Sequence, residues 1–237
     1  MNFIKVFALL IFTTAILAPE KPATTGIWMI GDSTMAPKSK NAFPELGWGE
    51  GLRKLVNDKA TVHNHAVNGR STLSFINENR WKAVCDSIKP GDYVIIQFGH
   101  NDQKPNPDRH TEPFTSYKDN LKKFITETRE HKGTPILCSS IVRRHFDGKG
   151  NLIDSHGDYI KAAKEVATET KTMYVDMESL TRNLVGGMGP KESKSLFLFT
   201  DKKQDSTHLN VQGAERVAKL FVDDCKKVKA PIAKLFK

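Results

Sequence analysis

Short apolar runs bounded by turn residues recur along the chain: Ile27 to Ile30, Tyr93 to Phe98, Ile136 to Cys138 and Met173 to Val175, with a weaker one from Thr61 to Val67. Runs that are apolar throughout, rather than alternating, suit strands covered on both faces, as in a parallel sheet. Between them the apolar positions fall at helical spacing. Tyr117, Leu121, Phe124, Ile125 and Thr128 share one stripe. Ile160, Ala163, Ala167 and Thr170 mark a second helix over Tyr159 to Thr170, and Val211, Ala214, Val217, Ala218, Phe221, Val222 and Cys225 mark a third. Strands alternating with helices predict an α/β fold, a parallel sheet with helices on both faces. No internal repeat, low-complexity stretch or linker interrupts the pattern, so residues 19–237 read as a single domain.

The first residues depart from it. Lys5 is followed by Val6 to Leu17, in which nothing is more polar than threonine, and then by Ala18 before Pro19. A helix over that run would be about 18 Å long, against about 30 Å for a hydrocarbon core. The basic start, the short apolar run and the small residue predict a secretory leader, residues 1–18, cleaved near Ala18. No cysteine lies there to carry a lipid anchor. The mature protein is therefore expected outside the cytoplasm, in a periplasm or secreted, without stable membrane association. Export would place Cys85, Cys138 and Cys225 in an oxidising compartment, where an odd count leaves at least one thiol unpaired. Cys138 in an apolar strand and Cys225 on an apolar helix face read as buried free thiols.

Composition changes the picture little. With 38% hydrophobic and 27% charged residues among 237, the chain is neither disordered nor a disulfide scaffold. The net charge of +9 could serve nucleic acid, an anionic surface or an acidic substrate. Its cations are scattered, except Lys226, Lys227, Lys229, Lys234 and Lys237, which suit the carboxyl end of a last helix. No basic-aromatic nucleic-acid motif occurs, and export makes such a partner unexpected.

In an open parallel sheet, ligands bind beyond the carboxyl ends of the strands. Polar clusters stand at those ends: Gly31-Asp32-Ser33-Thr34 after the first strand, Asn68-Gly69-Arg70-Ser71 after the second, Gly99-His100-Asn101-Asp102 after the third, and Asp205-Ser206-Thr207-His208 before the last helix. Each alone could be a cap or a turn. Together they supply a hydroxyl nucleophile, a base, an orienting carboxylate and oxyanion donors, the parts of an acyl-transfer site.

In these blocks the sequence resembles the SGNH (GDSL-type) hydrolases, named for four invariant residues matched here by Ser33, Gly69, Asn101 and His208. Thr34 replaces the leucine of the family name. Gly-Asp-Ser-Thr with Asn-Gly-Arg-Ser is most similar to the rhamnogalacturonan acetylesterase branch, which deacetylates pectic polysaccharide. The resemblance implies a three-layer, flavodoxin-like α/β/α fold with strand order 2-1-3-4-5. It also implies Ser33 as nucleophile, His208 as base, Asp205 three residues earlier on the same short turn as its orienting acid, and an oxyanion hole from the N–H groups of Ser33 and Gly69 and the Asn101 amide. Asp32 and Asp102 are then supports for their loops.

The remaining rim is rich in cations and imidazoles: Arg70, His100, Lys104, Arg109, His110, Arg143, Arg144 and His145. Arg70, His100, Arg143 and Arg144 are the candidate contacts for the carboxylates of an acidic polysaccharide or oligosaccharide. No metal or cofactor is required by this chemistry. His63-Asn64-His65 has the spacing of two ligands on one strand face but no third donor in register. The chain is expected to act as a monomer. A lipase or thioesterase on the same fold would want an apolar acyl groove, and the loops after the first and third strands are polar. The residues also leave open an acetylxylan esterase and a metal-dependent deacetylase; a non-catalytic polyanion binder is disfavoured, since binding alone does not require Ser33, Asn101, Asp205 and His208 together. An α/β-hydrolase is disfavoured, since no Gly-x-Ser-x-Gly elbow occurs.

Overall fold

The computed structural model describes residues 24–237; the expected leader lies outside them. The apolar runs form β1 (Thr25–Gly31), β2 (Ala60–Asn64), β3 (Tyr93–Gln97), β4 (Thr134–Cys138) and β5 (Met173–Val175). They pair in parallel in the order β2-β1-β3-β4-β5. The order reverses between β1 and β3, so the loops after these two strands open beside one another. β2 ends at Asn64, whose Oδ1 takes the N–H of Ala66 at 3.2 Å, but the chain stays beside β1 as far as Val67, with the N–H groups of His65 and Val67 donating to the carbonyls of Met29 and Gly31 at 2.8 and 3.0 Å.

The helices are α1 (Trp48–Arg53), α2 (Thr72–Asn77), α3 (Arg80–Cys85), α4 (Lys118–Glu130), α5 (Asp158–Glu169), α6 (Met177–Glu192) and α7 (Val211–Lys227). Alternate strand residues feed two cores. Ile27, Met29, Ile95 and Ile136 pack with Trp48 and Leu52 of α1 and with Val217 and Phe221 of α7. Ile30, Val94, Ile96 and Leu137 face Phe75, Trp81, Phe124 and Val166 of α2 to α5. A fully buried side chain of this kind contributes roughly 1.5–3 kcal/mol, which is why the continuous apolar runs take the middle layer.

After α6 the chain makes a two-stranded antiparallel hairpin, β6 (Phe197–Phe199) and β7 (Gln204–Leu209). Asn210 then caps α7, its side chain accepting the Gly213 N–H at 3.0 Å. Cys85, Cys138 and Cys225 are buried and free. Among the described residues no helix is long and apolar enough to cross a membrane.

Candidate active site

Ser33 follows β1 and His208 lies on β7, and the fold brings His208 Nε2 to 2.8 Å from Ser33 Oγ. On the other side of the ring, Nδ1 is 2.8 Å from Asp205 Oδ2. Burial by itself raises the Asp205 carboxyl, but bonds from the His208 main chain and ring and from the Thr207 N–H outweigh it and hold the group well below the ordinary carboxylate range. An ionised carboxylate only accepts, so the imidazole proton sits on Nδ1 and Nε2 faces the Ser33 hydroxyl as an acceptor. Asp205 and His208 are not on a short turn as expected. In β7, Asp205 pairs with Leu198 and Leu209 pairs with the adjacent Phe197. Residues 206–208 therefore bulge out between consecutive ladder pairs, and the bulge aims His208 at the nucleophile.

Two backbone donors adjoin this pair. Gly69 has φ +77°, a conformation costly for any residue with a side chain. Among the described residues the N–H groups of Ser33 and Gly69 meet no acceptor, whereas those of Thr34, Met35 and Ala36 are taken by Asp32 and that of Arg70 by the Val67 carbonyl. Asn101 is buried and donates from Nδ2 to the Arg70 carbonyl at 3.1 Å. A second N–H remains on that amide.

Asp32 and Asp102 turn into the protein. Asp32 Oδ1 accepts the N–H and hydroxyl of Thr34 at 2.9 and 2.8 Å; the same hydroxyl accepts from Gln97 Nε2 at 2.8 Å, and Gln97 Oε1 accepts from Trp48 Nε1 at 2.8 Å. A threonine in place of leucine is thereby satisfied on both sides. Asp102 Oδ1 accepts from the N–H and hydroxyl of Thr72 and the hydroxyl of Thr111, joining the loop after β3 to the start of α2. Burial raises both carboxyls, that of Asp102 to about 7.

The expected substrate contacts are differently disposed. Arg144 is buried; Nε donates to Ser193 Oγ at 3.0 Å, the guanidinium bonds the Pro190 carbonyl, and it lies over Phe199 and Phe146. Two of its three guanidinium nitrogens are thus engaged inside the protein. Arg70 is paired with Glu78 at 3.0 Å. Arg143 donates to the carbonyls of His100 and Ser155, bracing the loop that carries Asn101. His100 is buried with Nδ1 3.0 Å from His156 Nε2, and burial drives both imidazoles down, His156 to about 3. Arg109 is the rim cation beside the donors, with Nη1 3.8 Å from where a Cβ on Gly69 would stand. His63 stacks on Trp28 at 4.2 Å and His65 also lies against that indole. Sequence reasoning passed over Lys38, whose ammonium is 2.7 Å from the Ser33 carbonyl oxygen. No motif or period marks it.

Residues 29–216 match the family model of the GDSL-like lipase/acylhydrolase family. A rhamnogalacturonan acetylesterase of Bacillus subtilis is 35% identical over 215 residues, covering 87% of this chain and 91% of its own length. The crystal structure of the Bacillus subtilis protein YxiM is similar with a TM-score of 0.78 at 27% identity, over 88% of this chain; this chain spans 58% of that one. An acetylxylan esterase of Geobacillus stearothermophilus, solved as a catalytic mutant, shares the fold with a TM-score of 0.61 at 16% identity, over 86% of this chain and 96% of that one.

Proposed function

The chain belongs to the GDSL-like lipase/acylhydrolase family, and we propose that it is a serine acetylesterase acting on acetylated acidic plant polysaccharide of the rhamnogalacturonan type. The observation that carries the reaction is the line Ser33 Oγ, His208 Nε2, His208 Nδ1, Asp205 Oδ2, with both links at 2.8 Å, beside two backbone donors without acceptors. The substrate class rests on the likeness to the Bacillus subtilis acetylesterase. Arg109, beside Gly69, is the cation placed to meet a uronate carboxylate.

Ser33 Oγ attacks the acetyl carbonyl as His208 Nε2 takes its proton. The carbonyl oxygen gains negative charge and meets the N–H groups of Ser33 and Gly69 and the second N–H of Asn101. The C–O bond to the sugar breaks, the departing oxygen takes the proton from His208, and acetyl-Ser33 remains. Water attacks by the same route, acetate leaves, and Ser33 regains its proton. The protein is exported by its leader and carries this out beyond the cytoplasm.

The test is acetate release from acetylated rhamnogalacturonan, homogalacturonan and xylan, with Ser33→Ala as the blank. Release from the rhamnogalacturonan is expected. If no polymer yields Ser33-dependent acetate, the substrate assignment fails. Falling rates from acetate through butyrate to octanoate esters of a chromogenic alcohol separate an acetylesterase from a lipase-type enzyme.

A further inference from the structure

The Lys38 side chain is 2% exposed, and its ammonium meets three acceptors: the Ser33 carbonyl oxygen at 2.7 Å, Asn68 Oδ1 at 2.6 Å and Glu45 Oε1 at 2.9 Å. An ammonium has three N–H donors, so its capacity is filled. Two of these acceptors belong to separate loops of the proposed oxyanion hole. Ser33 supplies one donor itself, and Asn68 immediately precedes Gly69, which supplies the other. The third acceptor leads elsewhere. Glu45 Oε2 lies 3.4 Å from Lys203 Nζ, and Lys203 lies 3.2 Å from Asp205 Oδ2. An alternating chain of charge thus runs from the nucleophile's carbonyl to the acid that orients His208.

We propose that Lys38 is a positioning residue that sets the spacing of the Ser33 and Gly69 N–H groups and, through Glu45 and Lys203, ties that pair to Asp205. The inference rests on the serine mechanism above. Its physical basis is that the last main-chain bond between the two segments is Val67 N–H to the Gly31 carbonyl at 3.0 Å; beyond it the loops carrying the two donors are bridged by the Lys38 side chain, so the separation of the donors depends on that bridge. Displacing a reacting group by about 1 Å costs up to about 10²-fold in rate.

Lys38→Met, Asn68→Ala and the double variant are to be compared with the wild type on a chromogenic acetate ester, with Ser33→Ala as reference. Lys38→Met should lower kcat about 10- to 100-fold with KM held within about twofold, and weaken binding of an alkylboronic acid, which forms a tetrahedral adduct on Ser33, by a similar factor. Asn68→Ala, which removes one of the three bonds at an exposed turn, should lower kcat less, and the double variant should lose no more than Lys38→Met alone. Full kcat in folded Lys38→Met, or a loss carried by KM, overturns the proposal. If Lys38→Met does not fold, an unchanged kcat in Asn68→Ala overturns it. Hydrolysis that survives in Ser33→Ala overturns instead the serine mechanism beneath it.

Discussion

Asp205 grips His208 at two points: Oδ1 accepts its main-chain N–H at 2.9 Å and Oδ2 accepts its ring Nδ1–H at 2.8 Å. The imidazole is thereby fixed to its own backbone in one tautomer. Asp205→Asn preserves the shape but replaces one acceptor with a donor, which favours the tautomer that turns N–H toward Ser33. A loss of roughly 10³- to 10⁴-fold in kcat is expected with circular dichroism unchanged. A loss of less than about tenfold would remove Asp205 from the mechanism.

Asn101 is the side-chain donor next to the two backbone donors. Asn101→Ala should reduce kcat by about 10²- to 10³-fold on an acetate ester while leaving KM and the melting temperature close to wild type. A change confined to KM would make Asn101 a ground-state contact instead.

Arg109 and Arg144 separate two kinds of cation. Arg109→Ala should raise KM for acetylated pectic polymer several-fold and leave a small neutral ester unaffected, since only the polymer has carboxylates to lose. Arg144→Ala should leave both substrates alone and lower the stability by about 1–3 kcal/mol in a urea titration, because it removes a buried cation from two rings and from Ser193. The reverse pattern would return Arg144 to the substrate.

Thr34 shares its hydroxyl between Asp32 and Gln97. Thr34→Leu restores the residue of the family name and leaves the buried Gln97 amide without its acceptor. It should destabilise the protein by about 1–3 kcal/mol, read from the denaturant midpoint. An equal or higher midpoint would show that the pocket accepts leucine by repacking.

Two buried groups give stability opposite dependences on pH. Asp102 is raised from 3.8 to about 7, so the folded chain holds its proton more tightly than the unfolded one; its contribution is full below about pH 4 and lost as pH rises toward 7. His156 is lowered from 6.5 to about 3, so its contribution is full above about pH 6.5 and lost as pH falls. Relative to wild type, Asp102→Asn should gain stability between pH 4 and 7, by up to a few kcal/mol, and His156→Gln should gain it as pH falls over the same range. Melting temperatures across that range decide, and curves parallel to wild type would show that neither group titrates on unfolding.

Much of this protein is legible in its sequence because the signals are local. Ile27 to Ile30 and Tyr93 to Ile96 are apolar throughout since both sheet faces are covered, and the stripes of α4, α5 and α7 repeat over three or more turns. The ends of those strands then locate Ser33, Gly69, Asn101 and His208. Helices α1 to α3 have six residues each, too few for a period to emerge, and the pattern of α6 is broken by its kink at Gly189, where φ is +74°. The β6–β7 hairpin, and with it the bulge that turns His208 toward a serine 175 residues away, is set by pairing with Leu198 and Phe197. Tertiary structure alone decided where the cations point. A long side chain takes its direction from whichever partners the fold sets within reach, so Arg144 went inward to Phe199 and Ser193, Arg70 to Glu78, and Lys38 to the loops on either side of the proposed oxyanion site. Residue type and spacing carry the chemistry of a site; which charge faces the substrate depends on contacts between segments far apart in the chain.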